Sequence, residues 1–544
     1  KKPGADKLAY AVSYALLESG KIIEAKRSLE DFLVKYTRSR YSNEASFRLG
    51  EILFDEEDYG EALARYEAVA RSGDKTLGPK AVYKTAWINY KLDDFDGAIK
   101  NFILLLDSSE MKRRASESAL AIREESMNNM VLSLSRSVAP EKFLEGMMEK
   151  TYAPDVLFRL GNLFEGETRH EKSLAAFRLF MANFKEHPRA PFAFEGAAKS
   201  LVALNDTAAA VKIKEELVSE FNPESAWHKK NFPNGDKDVD NLVSGTMLEL
   251  ARHYHSAAKE SGNEVHMQNA LYGYTLYLSY FQDNPAAKEA NFLLAEAMFD
   301  SKRYLEAADR YVSSMRAYGD TPEGEDAALN ALLGFELSLS GDGRPSEAGE
   351  RTAASIKNIT EEYTALFKEP RNQEAFSTKA SGIYVSLGMT KEAREALEPL
   401  FKTPSGRTAY EKTGDIFALE KDFSSAIGYY KNAASGAPGA TSNEIRKKLS
   451  NAHYALALDF LKKGNDAEAA KHFQNVYSVM KESTLSEDAI ASAGSIYLRT
   501  GNKSGFRAIL DIMNTSYPSG KASFSLLMEA GKTFEEKGAN EEAA

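Results

Sequence analysis

A pair of small residues twelve positions apart, with a large apolar residue four further on, recurs along this chain of 544 residues and leaves few folds open to it. Its clearest instance lies in Arg40 to Val69, RYSNEASFRLGEILFDEEDYGEALARYEAV. Phe47, Leu49, Ile52 and Leu53 form one apolar stripe at helical spacing, and Ala62, Leu63, Tyr66 and Val69 form a second. Asp55, Glu56, Glu57 and Asp58 separate the two. The pattern predicts a helix, a tight polar turn and a second helix. Gly50 and Ala62 fall where two antiparallel helices cross, and a large side chain at either position would hold them apart. Tyr66, one turn beyond Ala62, is expected to fill the gap to the next pair.

The signature returns as Ser13–Ala25 with Leu29, Ala86–Ala98 with Phe102, Gly161–Ser173 with Phe177 and Ala197–Ala209 with Ile213. Further on it is Ala295–Ala307 with Tyr311, Ser381–Ala393 with Leu397, Gly414–Ala426 with Tyr430 and Ala457–Ala469 with Phe473. Gly531–Ala543 closes the series, and Gly494 opens one more pair in which Phe506 stands in the small position. Alanine alone makes a few such pairs by chance, but not a series at nearly regular spacing. Gly50 to Ala86 and Gly161 to Ala197 are single periods of about 36 residues, close to the repeat length of helix-pair solenoids.

Irregular spacings locate the exceptions. Met111 to Lys150 should hold one degenerate pair with Ala119, Ile122, Met130, Val131 and Leu134 buried, and Pro140 starting its second helix. Trp227 to Asn241, WHKKNFPNGDKDVDN, is rich in Pro, Gly, Asn and Asp and reads as a long loop or joint. The expected organisation is an N-terminal array over 1–221, a joint over 222–241 and a C-terminal array over 242–544. Met247 to Ala258 and His266 to Phe281 read as a pair with a stretched turn at Ser261-Gly262-Asn263. A second irregular pair, Glu325 to Phe367, is interrupted at Ser340 to Pro345. Roughly fourteen helix pairs are expected in all.

A single hydrophobic core cannot serve a chain this long, whereas an array escapes the limit because each unit packs only on its neighbours. The net charge of −11 comes from acids evenly interspersed with Lys and Arg. No basic stripe gathers, which argues against nucleic-acid binding. The chain has no cysteine, a lean toward an oxidising or envelope compartment. No apolar run approaches the ~18 residues that span a bilayer. The chain opens on Lys1 rather than Met and stops at Ala544, inside what reads as the second helix of a repeat. The expectation is a longer parent protein, with a removed leader compatible with its start.

The helix–turn–helix unit of Arg40 to Val69, with its small–small–aromatic signature, resembles the tetratricopeptide repeat. The resemblance implies an all-α fold, a tetratricopeptide-type α-solenoid of antiparallel helix pairs wound into a right-handed superhelix. The links between repeats share a second habit: Tyr36, Phe184, Phe281 and Tyr517 each stand just before a turn, with Pro188, Pro285 and Pro518 following. The aromatic is expected to close the second helix and the proline to stop its continuation. Together with EASFRLGE (Glu44 to Glu51), these linkers resemble tetratricopeptide proteins of bacterial envelopes, such as the barrel-assembly lipoprotein and the Tol–Pal coordinator. The greater length here looks more like a large scaffold of envelope-spanning secretion or gliding-motility machinery.

Catalytic chemistry finds no foothold in the sequence. Gly531-Lys532-Thr533 lacks the glycine a phosphate loop needs five residues earlier, where Leu526 stands. His253 and His255 are two apart and face different ways on a helix, so with His266 they read as packing or surface residues. There is no HExxH, no GxSxG and no cysteine nucleophile. No cofactor and no metal are expected, and the chain is read as a non-enzyme.

Binding is expected instead on the face of each first helix that points away from the small-residue contact. In the second and third repeats this selects Phe47, Glu51, Phe54, Tyr83, Trp87, Tyr90 and Lys91; Phe158, Phe292 and Phe299 occupy equivalent places. Exposed aromatics at such positions are anchors for a peptide or partner helix, with packing between repeats as the competing role. Some co-chaperones of the resembled family clamp a carboxylate terminus with Lys and Asn on this helix. Phe47, Glu51, Tyr83 and Trp87 stand in those places here, so that mode is not expected. The expected role is a protein–protein scaffold of the periplasm or the periplasmic face of the outer membrane, with membrane association through a partner or a removed lipid anchor. Two alternatives stay open: a cytosolic adaptor or regulator, and the substrate-recognition arm of an enzyme whose catalytic domain lies outside this chain.

Overall fold

The computed structural model describes residues 4–108, 117–339, 347–435 and 439–536. Among them lie 28 α-helices, one short 3-10 turn and no strand. The chain divides into two compact units, Lys1–Arg252 and His253–Ala544, a division that falls within helix Lys237–Ser261.

The first unit opens with three regular pairs: Ala5–Glu18 with Ile22–Lys35, Ser42–Asp55 with Tyr59–Arg71, and Gly78–Lys91 with Phe95–Leu106. The long Glu117–Arg136 and short Glu141–Met147 follow, then Ala153–Gly166 with His170–Asn183 and Ala190–Ala203 with Thr207–Phe221. The second unit holds Ala287–Asp300 with Tyr304–Tyr318, Gln373–Ser386 with Thr390–Glu395, and Gly406–Leu419 with Phe423–Ala434. Gly439–Lys462 with Asp466–Val479 and Thr484–Thr500 with Lys503–Ser516 complete its regular pairs. Glu264–Tyr280, Pro322–Leu339, Glu347–Leu366 and the final Lys521–Glu536 are its remaining long helices.

The small residues sit at the crossings. Ser13, Ala25, Ala62, Ala86, Ala98, Ser173, Ala295, Ala307, Ala393, Ala426, Ala457 and Ala469 are fully buried. A methyl group on Gly50 would stand 3.0 Å from the Tyr66 ring, and one on Gly161 or Gly414 would stand 2.7 Å from Phe177 or Tyr430. These rings therefore fold back onto the small residue of their own pair rather than simply bridging to the next. Phe177 does both, because it also lies against Gly196 of the following pair.

One register differs from the sequence reading. In the pair Ala190–Ala203 with Thr207–Phe221, Ala197 and Ala198 are both buried, and on the second helix the buried small residue is Ala210, while Ala209 and Ile213 are half-buried. Asp206 caps the second helix by accepting from Ala209 N at 3.1 Å. The cap fixes the start of the helix, and the crossing residue comes four positions after it, as Ala62 follows Asp58. The expected partner of Gly531, Ala543, lies outside the described residues, as do Ser340 to Pro345 and the side chain of Ala119.

Every regular turn is made the same way. The residue just before the cap of the second helix has positive φ in ten of them: Gly20, Glu57, Asp93, Thr168, Asn205, Lys302, Gly388, Lys421, Gly464 and Gly501. Six of the ten are not glycine, and each stores a modest strain, about 1 kcal/mol, relative to glycine there. The next residue is then Asp or Asn with a side-chain cap in six turns: Asp58, Asp94, Asp206, Asp422, Asn465 and Asn502. At Lys21, Arg169, Arg303 and Met389 no side chain caps the helix.

The aromatic linkers behave as expected. Tyr36, Phe184, Phe281 and Tyr517 are each the C-cap of a helix, and each backbone N–H returns to the carbonyl four residues back. In the degenerate pair Pro140 is the N-cap of the short second helix, Met130, Val131 and Leu134 are buried, and Ile122 is half-buried. The stretch read as a loop around Trp227 contains the short helix Ala226–Asn231. Trp227 is buried there, with its ring 4.7 Å from Phe221 and 5.6 Å from Phe232.

Candidate partner-binding surface

The first helices of the second and third pairs, Ser42–Asp55 and Gly78–Lys91, bring most of the selected residues of the first unit together. Phe47 is only 6% exposed, edge-on to Tyr66 at 5.4 Å, and serves the core. Glu51 is half-buried and accepts from Arg48 Nη1 at 3.2 Å. Phe54 is half-buried, edge-on to Tyr59 at 5.6 Å. One turn along the next helix, Tyr83, Trp87 and Tyr90 form a half-buried ladder. Trp87 Nε1 donates to the Tyr83 hydroxyl at 2.5 Å, and the Trp87 and Tyr90 rings meet edge-on at 5.9 Å. Burial first, and the Glu125 carboxylate second, hold the Tyr83 phenol protonated well above its ordinary range. Lys91 is exposed at the end of the ladder.

The other selected aromatics are separate. Phe158 lies between Phe177 and Phe180 at 6.1 and 6.3 Å. In the second unit Phe292 is edge-on to Tyr311 at 5.5 Å, and Phe299 to Tyr304 at 5.2 Å. Each of these three rings shows one part to solvent and packs the rest on its own second helix.

The cations that cover these rings are absent from the sequence reading. Arg48 stands over the Tyr14 ring at 5.9 Å, Lys84 over Phe54 at 5.0 Å, Arg136 over Tyr90 at 5.4 Å and Arg189 over Phe158 at 5.3 Å. Arg48, Lys84 and Arg136 each reach from one helix to a ring on another, and Arg189 reaches from the N-cap of the next helix, so cation–π attraction links neighbouring helices across this face. A signal existed: Arg48 and Lys84 each follow the aromatic at 47 and 83 by one residue, one period apart. The acids equivalent to Glu51 also have a structural task. Glu296 accepts from the Tyr311 hydroxyl, and Asp415 accepts from the Tyr430 hydroxyl at 2.8 Å. Lys448 then bridges Glu411 and Asp415, each at 2.7 Å.

The ladder can therefore offer aromatic edges set in a rigid frame, with the exposed ammonium groups of Lys80 and Lys91 beside them. The indole N–H is already engaged, so an apolar side chain gripped by its flanks is the natural guest. The histidines read as packing residues are engaged too: His255 Nε2 is 3.0 Å from Asp300, and the His253 ring meets Tyr254 at 5.5 Å. Gly531-Lys532-Thr533 lies inside helix Lys521–Glu536. Among the described residues no group of three or more His, Asp or Glu is placed to hold a metal ion. No helix there is long and apolar enough to cross a membrane.

Comparison with known proteins places the chain in context. Residues 10–75 and 47–106 match the tetratricopeptide repeat family model. No curated protein matches the chain. Among solved structures it is similar to a tetratricopeptide repeat protein from Parabacteroides merdae, with 16% identity over 54% of this chain and 98% of that one and a TM-score of 0.21. It is also similar to the tetratricopeptide domain of P58(IPK), with 13% identity over 84% of this chain and 99% of that one and a TM-score of 0.20.

Proposed function

We propose that the chain, whose residues 10–75 and 47–106 match the tetratricopeptide repeat model, is a non-enzymatic scaffold of the bacterial cell envelope that holds protein partners on the faces of its first helices. The observation that carries this is the Tyr83–Trp87–Tyr90 ladder, a partly open aromatic edge on a helix that contributes Lys80, Lys84 and Lys91 and no acid. Arg136 over Tyr90 and the hydrogen bond from Trp87 to Tyr83 hold the ladder before a partner arrives, so less side-chain freedom is lost on binding. Several modest patches along one array then sum, provided a partner can engage them together. The envelope placement is supported by the missing cysteines and by the aromatic linkers at Tyr36, Phe184, Phe281 and Tyr517. A periplasmic site, a place in a secretion, motility or outer-membrane assembly machine, and the exclusion of nucleic acid belong to the same reading.

The test is photo-crosslinking from position 87 in the source cell, followed by mass spectrometry of what is captured. Envelope proteins are the expected catch, and, with the crosslinker moved to position 91, Trp87→Ala with Tyr83→Ala should cut the yield about tenfold while the melting temperature barely moves. Cytosolic proteins instead would make the chain a cytosolic adaptor. Links only to neighbouring repeats, with a melting temperature lowered by several degrees in the double variant, would make the ladder a packing device and sink the proposal.

A further inference from the structure

In the second unit two imidazoles face each other across the crossing of a helix pair. His453 lies on the first helix, Gly439–Lys462, and is 2% exposed; His472 lies on the second, Asp466–Val479. Their Nδ1 atoms are 2.9 Å apart, and Phe460 stacks on the His472 ring at 5.5 Å. Two Nδ1 atoms at that distance share one proton: one imidazole must carry Nδ1–H and donate, and the other must leave its Nδ1 bare to accept. The pair thus holds together in one protonation state. We propose that His453 and His472 form an acid-operated latch between the two helices of their repeat, closed when both rings are neutral and released by proton uptake.

The chemistry of release has two steps. A proton on the outer Nε2 of the donor leaves the hydrogen bond in place but sets a cation in a buried site. A second proton, on the accepting Nδ1, turns two N–H groups toward each other and abolishes the bond. The charges facing the pair oppose the first step on balance. Helix Phe423–Ala434 contributes Lys431, and the second helix contributes Lys471 and one favourable carboxylate, Glu468. Burial is the largest influence on both rings, and it lowers His453 to about 4 and His472 below its ordinary value. A base whose folded pKa is depressed contributes stability that is complete above its unfolded pKa, about 6.5, and is lost as pH falls from there toward the folded value. The window for release is therefore about pH 6.5 to 4.

The molecule carries its own control, because residues 4–106 contain no histidine. Hydrogen exchange of the full chain at pH 7.5 and pH 5.0, corrected for the intrinsic pH dependence of exchange, reads both regions at once. Protection over 439–479 should fall roughly tenfold or more at pH 5.0 relative to helices 42–106. Replacing both rings, His453→Leu with His472→Phe, should lose most of the drop, because no buried imidazole is left in the pair to take up a proton. If that variant does not fold, histidine proton resonances of the His187→Gln chain decide, with two imidazoles titrating clearly below the ordinary value expected; His187 is replaced because its own burial lowers it too. Unchanged relative protection at 439–479, or both imidazoles titrating at 6.5 or higher, overturns the latch.

Discussion

The helix pair at 42–71 and the pair at 373–400 share one register and little else. Gly50 and Ala62 correspond to Ser381 and Ala393, and Tyr66 corresponds to Leu397. In the first, a strained Glu57 precedes Asp58, whose side chain accepts from Glu61 N at 3.3 Å, and the second helix runs 13 residues. In the second, relaxed Gly388 precedes Met389, which offers no cap, and the second helix lasts only six residues. It gives way to the 3-10 turn Glu398–Leu400, where Pro399 has no N–H to continue an α-helix. Register in this fold is thus set by the crossing and by the shared turn conformation. Helix length and strength are set by the local residues, and the two can vary apart.

Substitutions can break or sharpen that contrast. The largest effect is expected from Gly50→Leu, because even a methyl there meets the Tyr66 ring at 3.0 Å. The variant should lose about 2–3 kcal/mol by urea unfolding. Ser381→Leu should cost visibly less, since the residue in the place of Tyr66 is the smaller, flexible Leu397; equal losses would mean that the ring does not set the crossing distance. Next in size is the cap. Asp58→Ala should cost about 1 kcal/mol, and Met389→Asp should return a similar amount by supplying the missing acceptor. Exchange protection of the first turn of each second helix would report both, and an inert Met389→Asp would show that the short helix is limited by Pro399 alone. Smallest is the turn residue itself. Glu57→Gly should gain about 0.5 kcal/mol and Gly388→Ala should lose about 1 kcal/mol, since only the latter places a side chain at φ 74°.

The crossings could be read from the sequence because only small residues tolerate them, and a twelve-residue spacing survives every other change. The departure at Ala209 comes from the abundance of alanine there: Ala208, Ala209 and Ala210 permit several registers, and only the cap at Asp206 chooses Ala210. The left-handed turn residues were not legible. Glu57, Thr168 and Lys302 have nothing in their side chains that announces positive φ; the flanking helices impose it. Trp227 to Asn241 looked like loop because Pro, Gly, Asn and Asp outnumber its apolar residues, yet Trp227 and Phe232 were enough to pack around a short helix. The aromatic face was legible as a stripe but not in its division of labour. Phe47 is buried while Trp87, four residues after the equivalent Tyr83, is half open, and that difference depends on which cations and rings the adjacent helix supplies.

The turns have a consequence for how such a chain can change over generations. They lie between the two helices of a pair, just beyond the aromatic ladder at the end of helix Gly78–Lys91, and contribute none of its side chains. Exchanging a cap or a strained turn residue alters how long one repeat stays folded without touching what a neighbouring molecule would meet. Each repeat therefore has its own adjustable lifetime, and the array can be tuned for durability in one place and for ready opening in another while its outward chemistry is conserved.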